Sequence, residues 1–242
     1  MNKAAYTAKL NFYATPPHEC SYLPDREAVT LFADPRFQKS NGLYATLTNY
    51  GFRRSGEHLY RPRCPSCSAC VPVRLPVTEF RPRRSQRRTW RRNQDLAVSP
   101  VTSEYRVEHF HLYQRYMAKR HKGGGMDNPS PQNYIDFLTS SWSDTVFYEV
   151  RLDSQLLAIA VIDRLPTALS AVYTFFDPDY QERSLGRFSI LYTIREATRL
   201  GLPWVYLGYW INKCEKMRYK DEYQPLEYFR NGKWLRQKDN HK

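Results

Sequence analysis

Three thiols stand within seven residues, Cys64-Pro-Ser-Cys67-Ser-Ala-Cys70, and give two overlapping C-x-x-C spacings of the kind metal thiolates use. A closed tetrahedral zinc site needs a fourth ligand, which Cys20 or His18 can supply. Cys214 is the weaker fifth choice, because it sits far along the chain in the half read below as catalytic. No second C-x-x-C accompanies the first, so a set of plain thiols is the competing reading. Zinc stays a candidate cofactor and not a requirement.

The second concentration of chemistry is Arg81-Pro-Arg-Arg-Ser-Gln-Arg-Arg-Thr-Trp-Arg-Arg92, seven arginines in twelve residues with no acid. Pro82 suits the first turn of a helix running to about Leu96. On that helix Arg84, Arg87, Arg88, Arg91 and Arg92 spread over one broad face, with Arg83 at its start. Guanidinium forks bind phosphate, and a polyanion relieves the mutual repulsion of such a face. Trp90 can stack on a base or anchor the helix in the core. The whole chain carries 37 Lys+Arg against 24 Asp+Glu, a formal +13, which also favours a nucleic acid as partner.

Several elements must position these groups. Val71–Phe80 reads as a strand near a sheet edge, where its prolines are tolerated. Glu104–Lys122 reads as a helix ending in Lys119-Arg-His-Lys122 and Gly123-Gly-Gly125, a plain stop or a loop that orders on a ligand. A short helix is expected over Pro131–Trp142. Thr145–Leu152, Gln155–Leu165 and Leu169–Phe176 read as consecutive antiparallel strands, followed by a helix over Leu185–Leu200 and a strand over Pro203–Tyr209. Leu226–Leu235 is a hairpin around Asn231-Gly232. The expected class is α+β, with an N-terminal region over residues 1–100 and an acyl-transfer domain over 101–242. Three strands, a helix opening near Gly186 and a further strand follow the order of the acetyl-CoA-dependent N-acetyltransferase (GNAT) fold. Gln181–Arg187 only loosely echoes that fold's carrier loop.

The 242 residues suffice for one or two cores, no apolar run approaches a membrane span, and the first residues lack an apolar signal region. A cytoplasmic protein with reduced thiols is expected.

Eight segments together resemble the arginyl/leucyl-tRNA–protein transferases of the N-degron pathway: His18–Pro24, Gly51-Phe-Arg-Arg-Ser-Gly56, Tyr60-Arg-Pro-Arg-Cys64, Cys70-Val-Pro-Val-Arg74, Ser85-Gln-Arg-Arg88, Tyr173-Thr-Phe-Phe-Asp-Pro178, Ser184-Leu-Gly186 and Gly208–Lys220 running on to Tyr223-Gln-Pro225. The short length and the thiol cluster look like the bacterial branch, which moves leucine from Leu-tRNA to N-terminal Asp or Glu. The resemblance departs at the cysteines: Leu23 and Ala69 stand where the eukaryotic members carry thiols associated with a metal or iron–sulfur cluster, so that cluster is not carried over.

Such an enzyme needs no metal or coenzyme A, because an aminoacyl-tRNA is already an activated ester. The resemblance implies cations for the acceptor's carboxylate, drawn from Arg54, Arg61, Arg63 and Arg74, with Arg61 or Arg74 preferred and Tyr22 nearby. It implies Tyr173, Asp177 and Tyr209 as the transfer residues, Asp177 orienting the amine and a tyrosine serving the oxyanion; a strand-end turn is the plain alternative for Asp177. Arg83, Arg84, Arg87, Arg88, Arg91, Lys216, Arg218 and Lys220 are expected on the tRNA. The partners are then Leu-tRNA and acidic N-termini, with a monomer sufficient. Other readings are an Arg-tRNA donor, a non-catalytic RNA-binding protein with a zinc module, or a coenzyme A-dependent acetyltransferase.

Overall fold

The computed structural model describes residues 9–120 and 128–236, which leaves Gly123-Gly-Gly125 outside the described residues. The chain opens with β1 (Phe12–Ala14), the short pair β2 (His18–Glu19) and β3 (Glu27–Ala28), and β4 (Thr30–Ala33). Helix α1 (Asn41–Asn49) starts where the Ser40 hydroxyl accepts the Leu43 N–H. The hairpin β5 (Arg53–Ser55) and β6 (His58–Pro62) completes a four-stranded sheet in the order β1-β4-β6-β5. Its turn needs Gly56: φ is +53°, and a Cβ there would fall 1.9 Å from the Asp136 carbonyl oxygen.

Next come β7 (Val71–Pro76), α2 (Arg84–Arg92), β8 (Ala97–Thr102), α3 (Val107–Arg120) and α4 (Pro131–Leu138). The antiparallel run β9 (Thr145–Leu152), β10 (Gln155–Leu165) and β11 (Ala168–Phe176) leads into α5 (Leu185–Arg199) and β12 (Trp204–Trp210). The one-turn α6 (Glu215–Arg218) and the hairpin β13 (Glu227–Arg230), β14 (Lys233–Arg236) close the chain. Asn231 and Gly232 both take positive φ in that turn, as the hairpin sequence requires.

A mixed sheet of eight strands in the order β14-β13-β7-β12-β11-β10-β9-β8 organises the α+β fold. Helices flank both faces. Leu156–Asp163 of β10 are therefore buried without a break, which explains the continuous apolar run in that strand. On one face α5 packs on Leu169, Val205 and Leu207; on the other, α3 and α4 pack on Phe147, Ile159 and Phe175. The small sheet and α1 cover the remaining part of that second face through Tyr44, Leu59, Ala168 and Tyr206.

Two expectations change. The strand expected at an edge lies inside the sheet, between β13 and β12. Its prolines are tolerated because β13 pairs only with Val73 and Arg74, so Pro72 and Pro76 fall where that side of the ladder is open. The sheet also draws strands from both sides of residue 100, since β7 and the start of β8 precede it. Among the described residues no helix is long and apolar enough to cross a membrane.

The small sheet is locked to the large one by Arg54. Its side chain is 0% exposed and forks onto Asp163 of β10, with Nε–Oδ2 and Nη2–Oδ1 both at 2.8 Å. The same guanidinium donates to the carbonyls of Leu138 and Thr139, so it also fixes the end of α4. Arg54→Ala would leave Asp163 charged, buried and unpaired, at a cost of about 3–5 kcal/mol. Urea unfolding of the variant checks this; a loss below about 1 kcal/mol would contradict the assignment.

Candidate active site

β11 and β12 are the only parallel neighbours among the described strands, and their pairing runs only from Ala168–Ser170 on one strand to Trp204–Tyr206 on the other. Beyond those residues each strand continues, and β12 shifts register between Tyr206 and Gly208. The two strands therefore part towards their carboxyl ends. Helix α5 connects them and starts at that same end, with no side-chain cap on its first turn. Carboxyl ends of parallel strands next to a helix N-terminus are where α/β sheets receive ligands.

Two cations occupy the opening. Arg53 donates Nη1 to Ser170 Oγ at 2.9 Å and Nη2 to the Ala171 carbonyl, the first β11 carbonyl past the end of the ladder. Its guanidinium lies along Gly208, whose φ is +81° and whose missing Cβ would sit 3.4 Å away. Lys220 donates Nζ to the carbonyl of the next residue, Tyr209, at 2.6 Å, and lies 3.3 Å from Met217 Sδ. Burial, reinforced by the Arg53 cation, pushes the Lys220 ammonium down to about 7, while the Cys214 and Cys70 thiols act in the opposite direction. Arg53 and Lys220 are 7% and 8% exposed, and neither has a carboxylate partner among the described residues.

Tyr60 and Tyr209 lie close to Arg53, Cys70 and Cys214 lie close to Lys220, and Tyr22 and the remaining thiols adjoin Cys70. Burial raises the Tyr22 hydroxyl, and Tyr60, Cys70, Cys214 and Cys20 add to the shift. The Cys70 thiol is pushed up to about 12, first by burial and then by Cys20, Cys64, Cys67 and Cys214. Cys214, expected apart from the N-terminal thiols, thus shares their neighbourhood. A thiol held that high is protonated near neutrality and is a poor nucleophile. The Cys64 sulfur is engaged with the Val29 backbone, and no group of three His, Cys, Asp or Glu among the described residues is arranged to hold a metal ion.

The expected transfer residues do not meet at one point. Tyr209 is buried and donates its hydroxyl to the Gly51 carbonyl at 3.0 Å, so its side chain braces the small sheet. The Tyr209 carbonyl accepts from Lys220, while its phenol lies near enough to Arg53 to feel that charge. Asp177 accepts from Arg115 at 2.8 Å and from the Asp179 N–H at 3.1 Å, a turn-forming and ion-paired role at the end of β11. Tyr173 lies on β11 among Phe137, Tyr116 and Tyr113, with its hydroxyl 3.6 Å from Met117 Sδ.

The acceptor set divides as well. Arg54 is spent on Asp163. Arg74 is spent on Glu227 at 2.8 Å and lies between the rings of Trp204 and Trp234, 3.7 and 4.5 Å from their centres. Arg61 remains half-buried near Tyr209, its charge opposed by burial and by the more exposed Arg63. Arg53 was missed because it stands beside Arg54 in the same motif, and sequence offers no sign of which of the two has an internal acid.

The arginine helix is shorter than expected, ending at Arg92. Arg83, Arg84, Arg87, Arg88 and Arg91 are all exposed, and none has an ion pair among the described residues. Buried Gln86 docks the helix by accepting the Arg83 N–H at 2.8 Å and donating to the Glu222 carbonyl at 3.2 Å. Trp90 is an anchor, packed 5.3 Å from Phe188. The Gln86 contact sets α2 beside the segment carrying Lys216 and Arg218, both exposed. Lys220, expected on the tRNA, turns inward instead.

Set beside known proteins, the chain falls in a class of enzymes that transfer amino acids from tRNA. Residues 18–88 match the family model for the N terminus of arginine-tRNA-protein transferase, and residues 108–230 match the model for its C terminus. The chain belongs to the arginine-tRNA–protein transferase family. It is 54% identical over 228 residues to a protein of Pseudomonas fluorescens (strain Pf0-1) named aspartate/glutamate leucyltransferase, covering 94% of this chain and 97% of that one. A protein of the same name from Nitrosococcus oceani is 52% identical over 93% of this chain and 94% of its own length. Among solved structures FemX gives a TM-score of 0.45 at 8% identity, covering 75% of this chain and 63% of that one, a likeness too slight to argue from.

Lys220 carries a stability consequence. In the unfolded chain its ammonium titrates at 10.5 and in the folded chain at about 7, so between those values the unfolded state binds the extra proton. Stability contributed at this position therefore rises with pH through that window, by up to about 1.4 kcal/mol per pH unit. The stability of the native protein minus that of Lys220→Met should rise by a few kcal/mol between pH 7 and pH 10. A difference that stays flat with pH would contradict the burial of an uncompensated ammonium.

Proposed function

We propose that this chain transfers leucine from Leu-tRNA to the α-amine of proteins that begin with Asp or Glu, marking them for degradation. The observation that carries the reading is identity of 52–54% over nearly the whole length to aspartate/glutamate leucyltransferases. The exposed, unpaired arginines of α2 and the neighbouring Lys216 and Arg218 support it as a surface for the tRNA phosphates. A charge of that kind with no internal acid to neutralise it gains most from a polyanion.

The free amine attacks the carbonyl carbon of the leucyl ester. A C–N bond forms, the bond to the terminal ribose oxygen breaks, and the amine proton leaves as the ribose hydroxyl is restored. The ester is already activated, so positioning the amine and stabilising the tetrahedral oxyanion suffice, and no metal or coenzyme A enters the scheme. The parted carboxyl ends of β11 and β12, with the start of α5, are the place where the ester carbonyl and the amine meet. Arg61, Arg63 and Tyr22 border the acceptor's approach. One copy of the chain in the cytoplasm, where charged tRNA is made, supplies every residue named.

The purified protein should move radiolabelled leucine from Leu-tRNA to peptides beginning with Asp or Glu and not to those beginning with Ala or Lys. Replacing Arg84, Arg87, Arg88 and Arg91 with Gln should raise the KM for Leu-tRNA and flatten its dependence on salt by about one unit of slope per lost phosphate contact. Label taken from Arg-tRNA in place of Leu-tRNA would overturn the donor, and no transfer from either would overturn the enzyme.

A further inference from the structure

We infer that Arg53 and Lys220 together hold the side-chain carboxylate of the acceptor's first residue, a reading that rests on the leucyltransferase activity proposed above. A buried cation needs an anion, and this chain otherwise supplies one: Arg54 has Asp163 and Arg74 has Glu227. Arg53 and Lys220 are buried to the same degree, and among the described residues their hydrogen-bond partners are neutral: Ser170 Oγ, the Ala171 and Tyr209 carbonyls, and the Met217 sulfur. Among the described residues nothing balances the pair, and a carboxylate brought by the acceptor would.

Donor counting agrees. A guanidinium has five N–H groups and an ammonium three. Two nitrogens of Arg53 and one strong bond from Lys220 are used, which leaves N–H groups on both side chains for the two oxygens of one anion. Both converge on consecutive residues of β12: Arg53 lies against Gly208, and Lys220 holds the carbonyl of Tyr209. The positive φ of Gly208 suits glycine, and the Arg53 guanidinium lies within van der Waals range of the place its Cβ would take.

The anion is a side-chain carboxylate and not a tRNA phosphate. Cations under a tenth exposed, with Tyr60 and Tyr209 close to Arg53, suit a charge carried on a one- or two-carbon stem. A phosphodiester brings its own ribose and hydration, and the exposed α2 arginines already serve that chemistry. The arrangement also explains discrimination: a neutral first residue fills the same volume but leaves two buried cations unpaired.

The test is steady-state leucyl transfer to peptides that differ only in Asp or Asn at the first position, with native protein, Lys220→Met and the charge-keeping Lys220→Arg. Lys220→Met should cut the ratio of kcat/KM for Asp over Asn by about a hundredfold or more, and Lys220→Arg should restore part of it. An Asp/Asn ratio unchanged in Lys220→Met would overturn the inference. So would a raised KM for Leu-tRNA with the ratio intact, which would assign the pair to a phosphate. Calorimetric binding of an Asp-Ala dipeptide decides the matter separately from activity. Binding by native protein that is lost in Lys220→Met keeps the subsite even if no leucine moves, whereas no binding by native protein ends it.

Discussion

The early end of the β11–β12 pairing is the constraint on which the rest of the site depends. Parallel strands that stayed paired to their ends would satisfy the Ala171 and Tyr209 carbonyls within the sheet. Once the strands part, those carbonyls must find donors elsewhere, and Arg53 and Lys220 supply them. The backbone thus draws two cations into the interior for reasons of hydrogen bonding alone. Their charge is left over, and a binding site for an anion results from that surplus.

Arginine also does the work of assembly. Arg53 and Arg54 are adjacent on β5, yet the first reaches β11 and the second reaches β10, so one strand of the small sheet is pinned to two strands of the large one. Arg74 joins β7 to β13 through Glu227 and to α1 through Asn49, while Trp204 and Trp234 cover its faces. The chain's surplus of positive charge therefore divides by burial. Inward arginines with internal acids hold the sheets together, outward ones on α2 face solvent, and Arg53 and Lys220 at the parted strands are buried without a carboxylate partner among the described residues.

Much of the fold was legible because its second half obeys strong local rules. The expected strands over 145–152, 155–165 and 169–176 match the structure to within a residue, as does the helix opening at Leu185. Turn residues and unbroken β-branched runs define those elements with little tertiary help. The small N-terminal sheet was not anticipated, since its strands span three to five residues and are held by contacts distant in sequence. The site was less legible still. The motif Gly51–Gly56 holds both Arg53 and Arg54, and the sequence could not say which of them meets Asp163, more than a hundred residues away. Lys220 looked like one more surface base beside Lys216 and Arg218, because the helix carrying those two gives way at Tyr219 to a 3-10 turn, which points Lys220 inward.

Lys220 sits buried at the parted strands with no carboxylate beside it among the described residues, so it loses its proton near pH 7, and an acidic N-terminus should restore the charge. Heteronuclear NMR of the Lys220 side chain against pH, alone and with an Asp-Ala dipeptide, measures it directly. The free protein should show a midpoint near 7, and the dipeptide should move it upward as the carboxylate takes its place beside the nitrogen. A midpoint near 10.5 in the free protein, or one that ignores the dipeptide, would contradict the account.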